Sequence, residues 1–259
     1  MSNNNHKNQR QQSPFINELS FTQFDEARRR TDLVIVPTGS VEVYGPHLPL
    51  GSDFLVAKAI AGRVARQTDS LVAPTLEVGE ASNLLGASGT FTISRQVLEN
   101  FLDEILAQLV DYGFRRFLFI TGHAGNVDTV AYLSRKIERL HPVRCAQVDW
   151  WRFIQHIDDG IFDTSGYHCH GHAAEAGTSV VSYLYPPLAD LSDLPHYELA
   201  KKAEDFPEII QYQLFVDKTD KGMTGDARAA SPEKGRLLVE RAVDRIVDFI
   251  NTDFNNDER

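Results

Sequence analysis

The strongest constraint on the fold is a series of short apolar runs that alternate with helical patterns. Three such runs predict strands at 33–37 (LVIVP), 71–76 (LVAPTL) and 117–120 (FLFI). Residues 144–150 (RCAQVDW) are predicted as a fourth strand. Pro74 favours an edge position or an irregular end for the second strand. Runs that are apolar throughout are typical of a parallel sheet covered on both faces.

Amphipathic segments lie between these runs and predict helices at 54–67, 96–112, 127–140, 173–185 and 232–250. Gly113 is a plausible stop for the second helix, and Ser231 and Pro232 suit the first positions of the last one. Residues 77–94 and 186–230 are predicted to be mostly irregular. The sequence therefore predicts an α/β fold, a three-layer α/β/α sandwich with a mostly parallel central sheet, in one domain over residues 14–259.

The composition of the chain limits which partners and which cellular compartment we expect. The formal net charge of −10 argues against a nucleic acid or an anionic membrane as partner, because both need basic surface. Two cysteines cannot make a disulfide framework, so we expect a reducing, cytoplasmic setting. Residues 1–13 are polar, lack the apolar run of a signal peptide, and are predicted to form a disordered arm. No stretch approaches the roughly 18 apolar residues of a membrane span.

Three polar segments are placed where they can meet at one rim of the sheet. They are residues 40–53 (SVEVYGPHLPLGSD), 121–126 (TGHAGN) and 168–175 (HCHGHAAE). The first two follow predicted strands, and ligands of such folds bind beyond the carboxyl ends of the strands.

Four residues of these segments, Glu42, Asp53, His123 and Glu175, supply carboxylates and an imidazole, a mixture that suits Zn²⁺ or Mn²⁺. Their spacing is not a generic metal signature. Each has a structural alternative as well. Asp53 can cap the helix predicted after it, Glu42 can be a solvated loop acid, His123 a turn residue, and Glu175 a solvent-facing acid in the first turn of a helix.

Three histidines of the third segment, His168, His170 and His172, alternate along the chain. This spacing resembles one face of an extended segment. Such a group can form a metal or proton-transfer cluster, or some of its members can be hydrogen-bonded structure.

Five segments, in order, resemble the creatininase (creatinine amidohydrolase) family. They are PTGSVEVYGPHLPLGSD at 37–53, SGTFTIS at 88–94, GFRRFLFITGHAGN at 113–126, GHAAEAGTS at 171–179 and GMTGDARAASPEKG at 222–235. The resemblance implies an α/β sandwich, metal-dependent opening of cyclic amides or hydrolysis of related C–N bonds, and homo-oligomers that are often hexamers. It implies one or two divalent ions per subunit, Zn or Mn.

The resemblance also implies roles for individual residues. Glu42, Asp53 and His123 match residues that hold one metal, with Asp53 bridging to a second, and Glu175 matches an acid that completes the second site in many members. His172 matches a histidine that assists proton transfer, so His172 and Glu175 are the candidate catalytic residues. The candidate substrate contacts are His47, Ser88, Ala124, Gly125 and Trp151.

Two departures from the family pattern affect the second metal and the substrate. The family usually has EQHG where this chain has residues 42–45 (EVYG), so Tyr44 stands in place of a second-site histidine. Either its oxygen is a ligand, or His170 or His47 replaces it, or the second ion is weak or absent. Gly125 stands where creatininase proper has a second-site acid. Gly171 and Gly177 stand where some relatives have acids, which weakens the case for creatinine itself as substrate.

The resemblance leads us to expect a hydrolase in which a metal-bound hydroxide opens a small polar cyclic substrate, by default at an amide or ring C–N bond. One alternative is ring opening of a cyclic polyol ketone (inosose-like) or a lactone. An alternative of another class is a non-catalytic binding protein with a degenerate metal site. A phosphate-binding role for TGHAGN is weaker, because the stretch lacks the Lys-Ser/Thr of a P-loop and the GxGxxG spacing.

Overall fold

A computed structural model describes residues 13–197 and 212–255. The predicted N-terminal arm lies outside this part of the chain except for Ser13, as do residues 198–211 of the predicted irregular region. The centre is a parallel sheet in the order β2-β1-β3-β4, formed by β1 (Leu33–Thr38), β2 (Leu71–Val72), β3 (Arg116–Thr121) and β4 (Arg144–Asp149).

The pairing of the strands aligns their carboxyl ends. Thr38 of β1 lies beside Thr121 of β3, which lies beside Asp149 of β4. β2 is an edge strand, as Pro74 predicted, but it is shorter than predicted. Beyond Val72 the predicted strand continues only as an isolated bridge between Thr38 and Leu76, because proline has no N–H with which to extend the ladder.

Eight α-helices are found in the described part of the chain: α1 (Phe21–Ala27), α2 (Ser52–Thr68), α3 (Arg95–Asp111), α4 (Val127–Leu140), α5 (Trp150–Phe153), α6 (Gly166–His170), α7 (Glu175–Leu184) and α8 (Pro232–Phe249). A π-helical turn, Ile250–Phe254, extends α8. In the region predicted to be irregular, β5 (His196–Tyr197) and β6 (Gly225–Asp226) form a short antiparallel pair. None of the described helices is both long and apolar enough to cross a membrane.

The two faces of the sheet are covered by different helices. Successive side chains of a strand point to opposite faces. Accordingly, Leu33 and Ile35 of β1 pack in a core with α2, α7 and α8, whereas Val34 and Val36 pack in a second core with α3 and α4. Every residue of β1 is buried. The predicted three-layer α/β/α sandwich is confirmed.

Helix ends follow the predicted signals in two places and depart from them in one. The Ser231 side chain accepts a hydrogen bond from the Lys234 amide at the start of α8. Gly113, which follows α3, has a φ of 101° that glycine adopts without strain. However, α2 begins at Ser52 with Gly51 as its N-cap, so Asp53 lies inside the first turn. The expectation that Asp53 caps this helix is wrong.

Candidate metal centre

Three side chains from different elements converge beyond the carboxyl ends of the strands. Glu42 lies in the loop after β1, Asp53 in the first turn of α2, and His123 directly after β3. One possible ligand atom from each lies within 4.8 Å of the other two. Their residues are only 2%, 2% and 4% exposed. The sheet register brings the ends of β1 and β3 together, which is why these loops meet.

The ring of His123 is held so that Nδ1 faces the two carboxylates. Its Nε2 lies 2.9 Å from the carbonyl oxygen of Glu80, which can only accept, so we assign the ring proton to Nε2. Nδ1 then lies 2.8 Å from Glu42 Oε2 and 3.0 Å from Asp53 Oδ2. Metal-binding histidines usually donate their other N–H to such an acceptor, which fixes the tautomer and the ring orientation.

Further hydrogen bonds fix the surroundings of the carboxylates. Trp151 Nε1 donates to Asp53 Oδ1 at 2.9 Å, and Ser40 Oγ donates to Asp53 Oδ2 at 3.0 Å. Asn126 connects the loop that carries Glu80 with the loop after β1. Its Oδ1 accepts a hydrogen bond from the Glu80 amide, and its Nδ2 donates one to the Gly39 carbonyl oxygen. The Glu80 carbonyl that orients His123 is thereby held in place.

The ionisation of the three groups is coupled by their proximity. Burial alone would raise the pKa of Glu42, but its contacts with His123 and the charge of His172 bring that pKa below the usual value. Burial and the negative charge of Glu42 raise the pKa of Asp53. The pKa of His123 lies well above its usual value, since the two carboxylates outweigh the opposing effect of burial. Without an ion the centre therefore favours a proton on the imidazole.

The donor set fits a divalent cation. Glu42 Oε2 is buried and accepts no hydrogen bond of acceptable geometry from the described residues. No lysine or arginine in the described part of the chain forms an ion pair with Glu42 or Asp53. Two carboxylates and one imidazole nitrogen are a ligand combination that Zn²⁺ and Mn²⁺ accept, and an ion can replace the imidazole proton between them.

The three residues line a cavity of about 460 Å³ that is shared with aromatic and imidazole side chains. Tyr44, Trp151, His170, His172 and Phe215 contribute to the wall, as do Ala124, Gly125 and Gly177. A volume of this size suits a small molecule rather than a macromolecule.

His172 presents an imidazole on the cavity wall near Glu42. Its Nε2 lies 2.7 Å from the carbonyl oxygen of Val43, so Nε2 carries the proton, and Nδ1 lies 3.9 Å from Glu42 Oε1. Its ring packs against Tyr44 at 4.3 Å and Phe215 at 4.9 Å between centroids. Thr224 holds the backbone on both sides: its hydroxyl accepts from the His172 amide, and its amide donates to the His172 carbonyl.

Tyr44 is buried beside the two carboxylates. Burial, together with the negative charges of Asp53 and Glu42, raises the pKa of the phenol well above its usual value. In the metal-free protein this side chain is therefore a neutral hydroxyl.

The structure does not bring Glu175 to the other three candidate ligands. Its buried carboxylate accepts from Lys234 Nζ at 2.6 Å and from Thr164 Oγ1 at 2.9 Å. It lies in the first turn of α7, as predicted, although the helix begins at Glu175 rather than at residue 173. Its side chain is buried and does not line the cavity. The predicted roles of Glu175 as metal ligand and catalytic residue do not fit this arrangement, because its carboxylate is already paired with the ammonium group of Lys234.

Two predicted substrate contacts also lie elsewhere. His47 is buried, with its Nε2 2.8 Å from Thr178 Oγ1, and it borders a different cavity. Ser88 is an exposed residue of a surface turn. In contrast, Ala124, Gly125 and Trp151 lie on the wall of the cavity that holds the candidate ligands.

The three alternating histidines do not form one common face in the fold. His168 and His170 belong to the short helix α6, so the predicted extended segment is wrong and its common face does not exist. His168 packs against Tyr167 at 4.2 Å between centroids. The Nε2 of His170 lies 2.6 Å from Asp158 Oδ2.

Several residues that support the site were missed at the sequence level. Ser40, Asn126 and Thr224 lie inside the segments that carry the family resemblance, so the motifs contained a signal for them. The Glu80 carbonyl left no signal, because every residue has a carbonyl group and only the folded loop shows which one meets His123.

Comparison with known proteins identifies the family. A family model described as creatinine amidohydrolase matches residues 17–250. The chain belongs to the creatininase family. It is a hydrolase of that family, and the resemblance seen in its motifs is confirmed.

Curated relatives of this creatininase-family chain act on different substrates. It is 27% identical over 263 residues to creatinine amidohydrolase of Pseudomonas putida, covering 93% of this chain and 98% of that protein. It is 29% identical over 230 residues to a mycofactocin precursor peptide peptidase of Mycolicibacterium smegmatis, covering 84% of each. It is 24% identical over 262 residues to a 3-dehydro-scyllo-inosose hydrolase of Thermotoga maritima, covering 89% of this chain and 80% of that protein.

Solved creatininase structures share the fold. A creatinine amidohydrolase matches with a TM-score of 0.82 at 25% identity, covering 95% of this chain and 99% of that one. A manganese creatininase matches with a TM-score of 0.82 at 24% identity, and a mutant creatininase of the Zn–Zn type with 0.81 at 24%; each covers 95% of this chain and all of the other. Members with this fold thus carry manganese or zinc.

Proposed function

We propose that this hydrolase binds one divalent ion, Zn or Mn, between Glu42, Asp53 and His123 and cleaves a C–N bond of a small polar, cyclic substrate. The observation that carries the proposal is the buried Glu42 Oε2, which faces His123 Nδ1 and lacks a proper hydrogen bond. Two buried carboxylates share one imidazole in this centre, and an ion between the three groups would reduce the cost of burying both negative charges.

The side chains around the ion would divide the chemistry between them. A divalent ion in such a site lowers the pKa of a water molecule and withdraws electron density from a carbonyl group. Trp151 and Ser40 hold Asp53 in a fixed orientation. His172 can take up a proton at Nδ1 and release it to the leaving nitrogen, because its Nε2–H is engaged by the Val43 carbonyl.

The surroundings of Gly125 support one ion rather than two. A Cβ atom at this position would lie 2.0 Å from the Glu80 carbonyl oxygen and 2.7 Å from His123 Nε2. The loop that orients His123 therefore occupies the space that a ligand side chain at position 125 would need.

The other residues that could complete a second site are engaged elsewhere or lie apart from the three candidate ligands. Glu175 binds Lys234, as described above, and His170 is not part of the group of ligand atoms within 4.8 Å of one another that Glu42, Asp53 and His123 form. His47 contacts Thr178 beside a different cavity. The phenol of Tyr44 is the remaining candidate, and a neutral phenol is a weaker metal donor than an imidazole.

Two of the relatives support an amide bond as the target. One is a creatinine amidohydrolase and another is a peptidase, and both names describe cleavage of a C–N bond. The inosose hydrolase supports a second candidate function, ring opening of a cyclic polyol ketone. The same ion and the same His172 would serve both reactions.

Metal analysis combined with a substrate panel tests this proposal. Protein purified without chelator should contain about one equivalent of Zn or Mn per chain, and chelation should abolish hydrolysis until Zn or Mn is returned. The panel contains creatinine, N-methylhydantoin, a short peptide and an inosose-type ketone. Turnover of the ketone with no turnover of amides would replace the default reaction with the second candidate. Protein without bound metal would instead support a non-catalytic binding protein.

Two variants test whether Tyr44 is a metal ligand like Asp53. Asp53→Ala should lose both the ion and the activity, because it removes a ligand. Tyr44→Phe should keep one equivalent of metal, because the proposed ligand set is intact. Equal loss of metal in both variants would show that the Tyr44 oxygen is a ligand.

A further inference from the structure

A second imidazole on the cavity wall has no role in the metal centre. The side chain of His170 is only 6% exposed, although the residue borders the cavity. Its Nε2 lies 2.6 Å from Asp158 Oδ2, and Phe162 packs edge-on against the ring at 5.7 Å between centroids. The carboxylate and the aromatic ring fix the orientation of this imidazole.

The opposite nitrogen of this ring is unused. His170 Nδ1 is buried and has no hydrogen-bond partner among the described residues. Since an ionised Asp158 can only accept, the Nε2 proton lies towards it, and in the neutral ring Nδ1 presents a lone pair. A buried polar atom without a partner costs about 1–3 kcal/mol and requires an explanation.

The backbone holds His170 tightly at this position. The next residue, Gly171, lies where a Cβ atom would be 2.4 Å from the Thr224 carbonyl oxygen and 2.5 Å from the Tyr167 carbonyl oxygen. This close packing places His170, Gly171 and His172 together on the wall of the cavity. The two imidazoles are thus held by separate partners, Asp158 for His170 and the Val43 carbonyl for His172.

We propose that His170, oriented by Asp158, is a specificity-determining residue whose Nδ1 accepts a hydrogen bond from an N–H or O–H group of the substrate. The proposal rests on the proposed hydrolase function of the same cavity. It selects substrates that carry a hydrogen-bond donor beside the scissile bond, such as an imino or amide N–H. Substrates that present only acceptors at this position leave Nδ1 unpaired and are disfavoured.

Two substitutions separate the roles of the two ring nitrogens. His170→Gln keeps a donor near the position of Nε2, so it retains the contact with Asp158 but removes the Nδ1 acceptor. His170→Asn keeps an acceptor near the position of Nδ1 but removes the contact with Asp158. A substrate-binding role predicts a KM for creatinine about tenfold higher in His170→Gln, equivalent to about 1.4 kcal/mol, and a smaller change in His170→Asn. If His170 has only a structural role through Asp158, His170→Asn should change the KM more than His170→Gln does.

A matched pair of substrates adds a test of the donor. Creatinine carries an imino N–H where N-methylhydantoin carries a carbonyl oxygen. Wild type should prefer creatinine in kcat/KM, and His170→Gln should lose that preference while keeping about one equivalent of metal. An unchanged preference in His170→Gln would overturn the proposal.

Nitrogen NMR of the zinc-loaded protein tests the proposed protonation of His170 beside Asp158 even if no amide is hydrolysed. The ¹⁵N resonances of His170 should show a protonated Nε2 and an unprotonated Nδ1, and added creatinine should shift the Nδ1 resonance. A protonated Nδ1, or no response to creatinine, would overturn the proposal. Failure of wild type to hydrolyse every amide of the panel with any metal would instead contradict the proposed function.

Discussion

At the scale of single residues, the candidate ligands are positioned by atoms that lie behind them. The Glu80 carbonyl turns Nδ1 of His123 towards the carboxylates, and Trp151 and Ser40 hold the two oxygens of Asp53. Because these supporting atoms do not themselves need to bind the ion, their substitution should weaken metal binding while leaving the ligand set unchanged.

His47 predicts how stability depends on pH. Burial lowers its pKa to about 4, partly opposed by the charge of Asp190, whereas the unfolded chain titrates near 6.5. Between these values the unfolded state binds more protons, so the free energy of unfolding falls as pH falls from about 6.5 to about 4. Above that window the contribution of His47 is fully present.

His47→Gln isolates this contribution. Glutamine can keep a donor towards Thr178 but cannot titrate, so the advantage of wild type over the variant should shrink by roughly 1–2 kcal/mol between about pH 7 and about pH 5. Urea unfolding at both pH values measures it. A constant difference between the two proteins would show that His47 is not responsible.

The sequence predicted some site residues and not others for a physical reason. Glu42 and His123 follow apolar strands and Asp53 begins a helix, so the topology of a parallel sheet brings them to one rim. Glu175 has a similar local pattern, but its environment depends on Lys234, which lies 59 residues later and meets it only when α7 packs on α8. Local sequence carries no signal for such a pairing.

At the scale of elements, the loop after β3 must approach the loop that carries Glu80. In Gly125→Ala the new methyl group would meet the Glu80 carbonyl oxygen at 2.0 Å and push it away from His123. We expect metal affinity to fall about 10–100-fold, the range typical for loss of a supporting contact, with little change in circular dichroism. Competition with a chelator measures the affinity.

Gly177→Ala is the matched control for this variant. Position 177 also borders the cavity, but its nearest contact for a Cβ atom is 3.6 Å from the Tyr44 ring, an ordinary packing distance. Its metal affinity should match wild type. Equal affinities in both alanine variants would contradict the role given to the Glu80 carbonyl.

A buried ion pair between Glu175 and Lys234 links α7 with α8. Lys234→Met removes the cation and leaves that carboxylate with the Thr164 hydroxyl, which should cost about 3 kcal/mol of unfolding free energy. The more exposed pair of Lys136 with Asp103 is a control, and Lys136→Met should cost clearly less than Lys234→Met, because solvent screens this pair. Chemical denaturation measures both.

Glu175→Gln tests whether Glu175 is a metal ligand. The variant should keep its full metal content, because the carboxylate is bound to Lys234 and lies apart from the other candidate ligands. Loss of the ion in this variant would restore Glu175 as a ligand.

Element prediction was accurate where one local signal dominates. The helix predicted at 127–140 has those bounds in the structure, and the start of α8 follows its cap and proline. The predictions for the edge strand β2 and for the segment with alternating histidines were less accurate. Proline shortens the first of these, and the second is shaped by its packing against Asp158 and Thr224 rather than by its own periodicity.

At the scale of the whole molecule, the fold is shared with solved creatininases. The chain superposes on a creatininase with a TM-score of 0.82 at only 25% identity, so the sheet and its covering helices tolerate extensive substitution. The register that aligns the ends of β1, β3 and β4 helps to bring the three candidate ligands together. Tyr44 and Gly125 stand where the family pattern leads us to expect other residues, and the proposed single ion rests on those two positions.

Anomalous diffraction at the zinc and manganese absorption edges tests this central claim most directly. Crystals of protein purified without chelator should show one peak per chain, about 2.0–2.2 Å from oxygens of Glu42 and Asp53 and from His123 Nδ1. A second peak beside Tyr44, or no peak between the three residues, would contradict the single-ion centre.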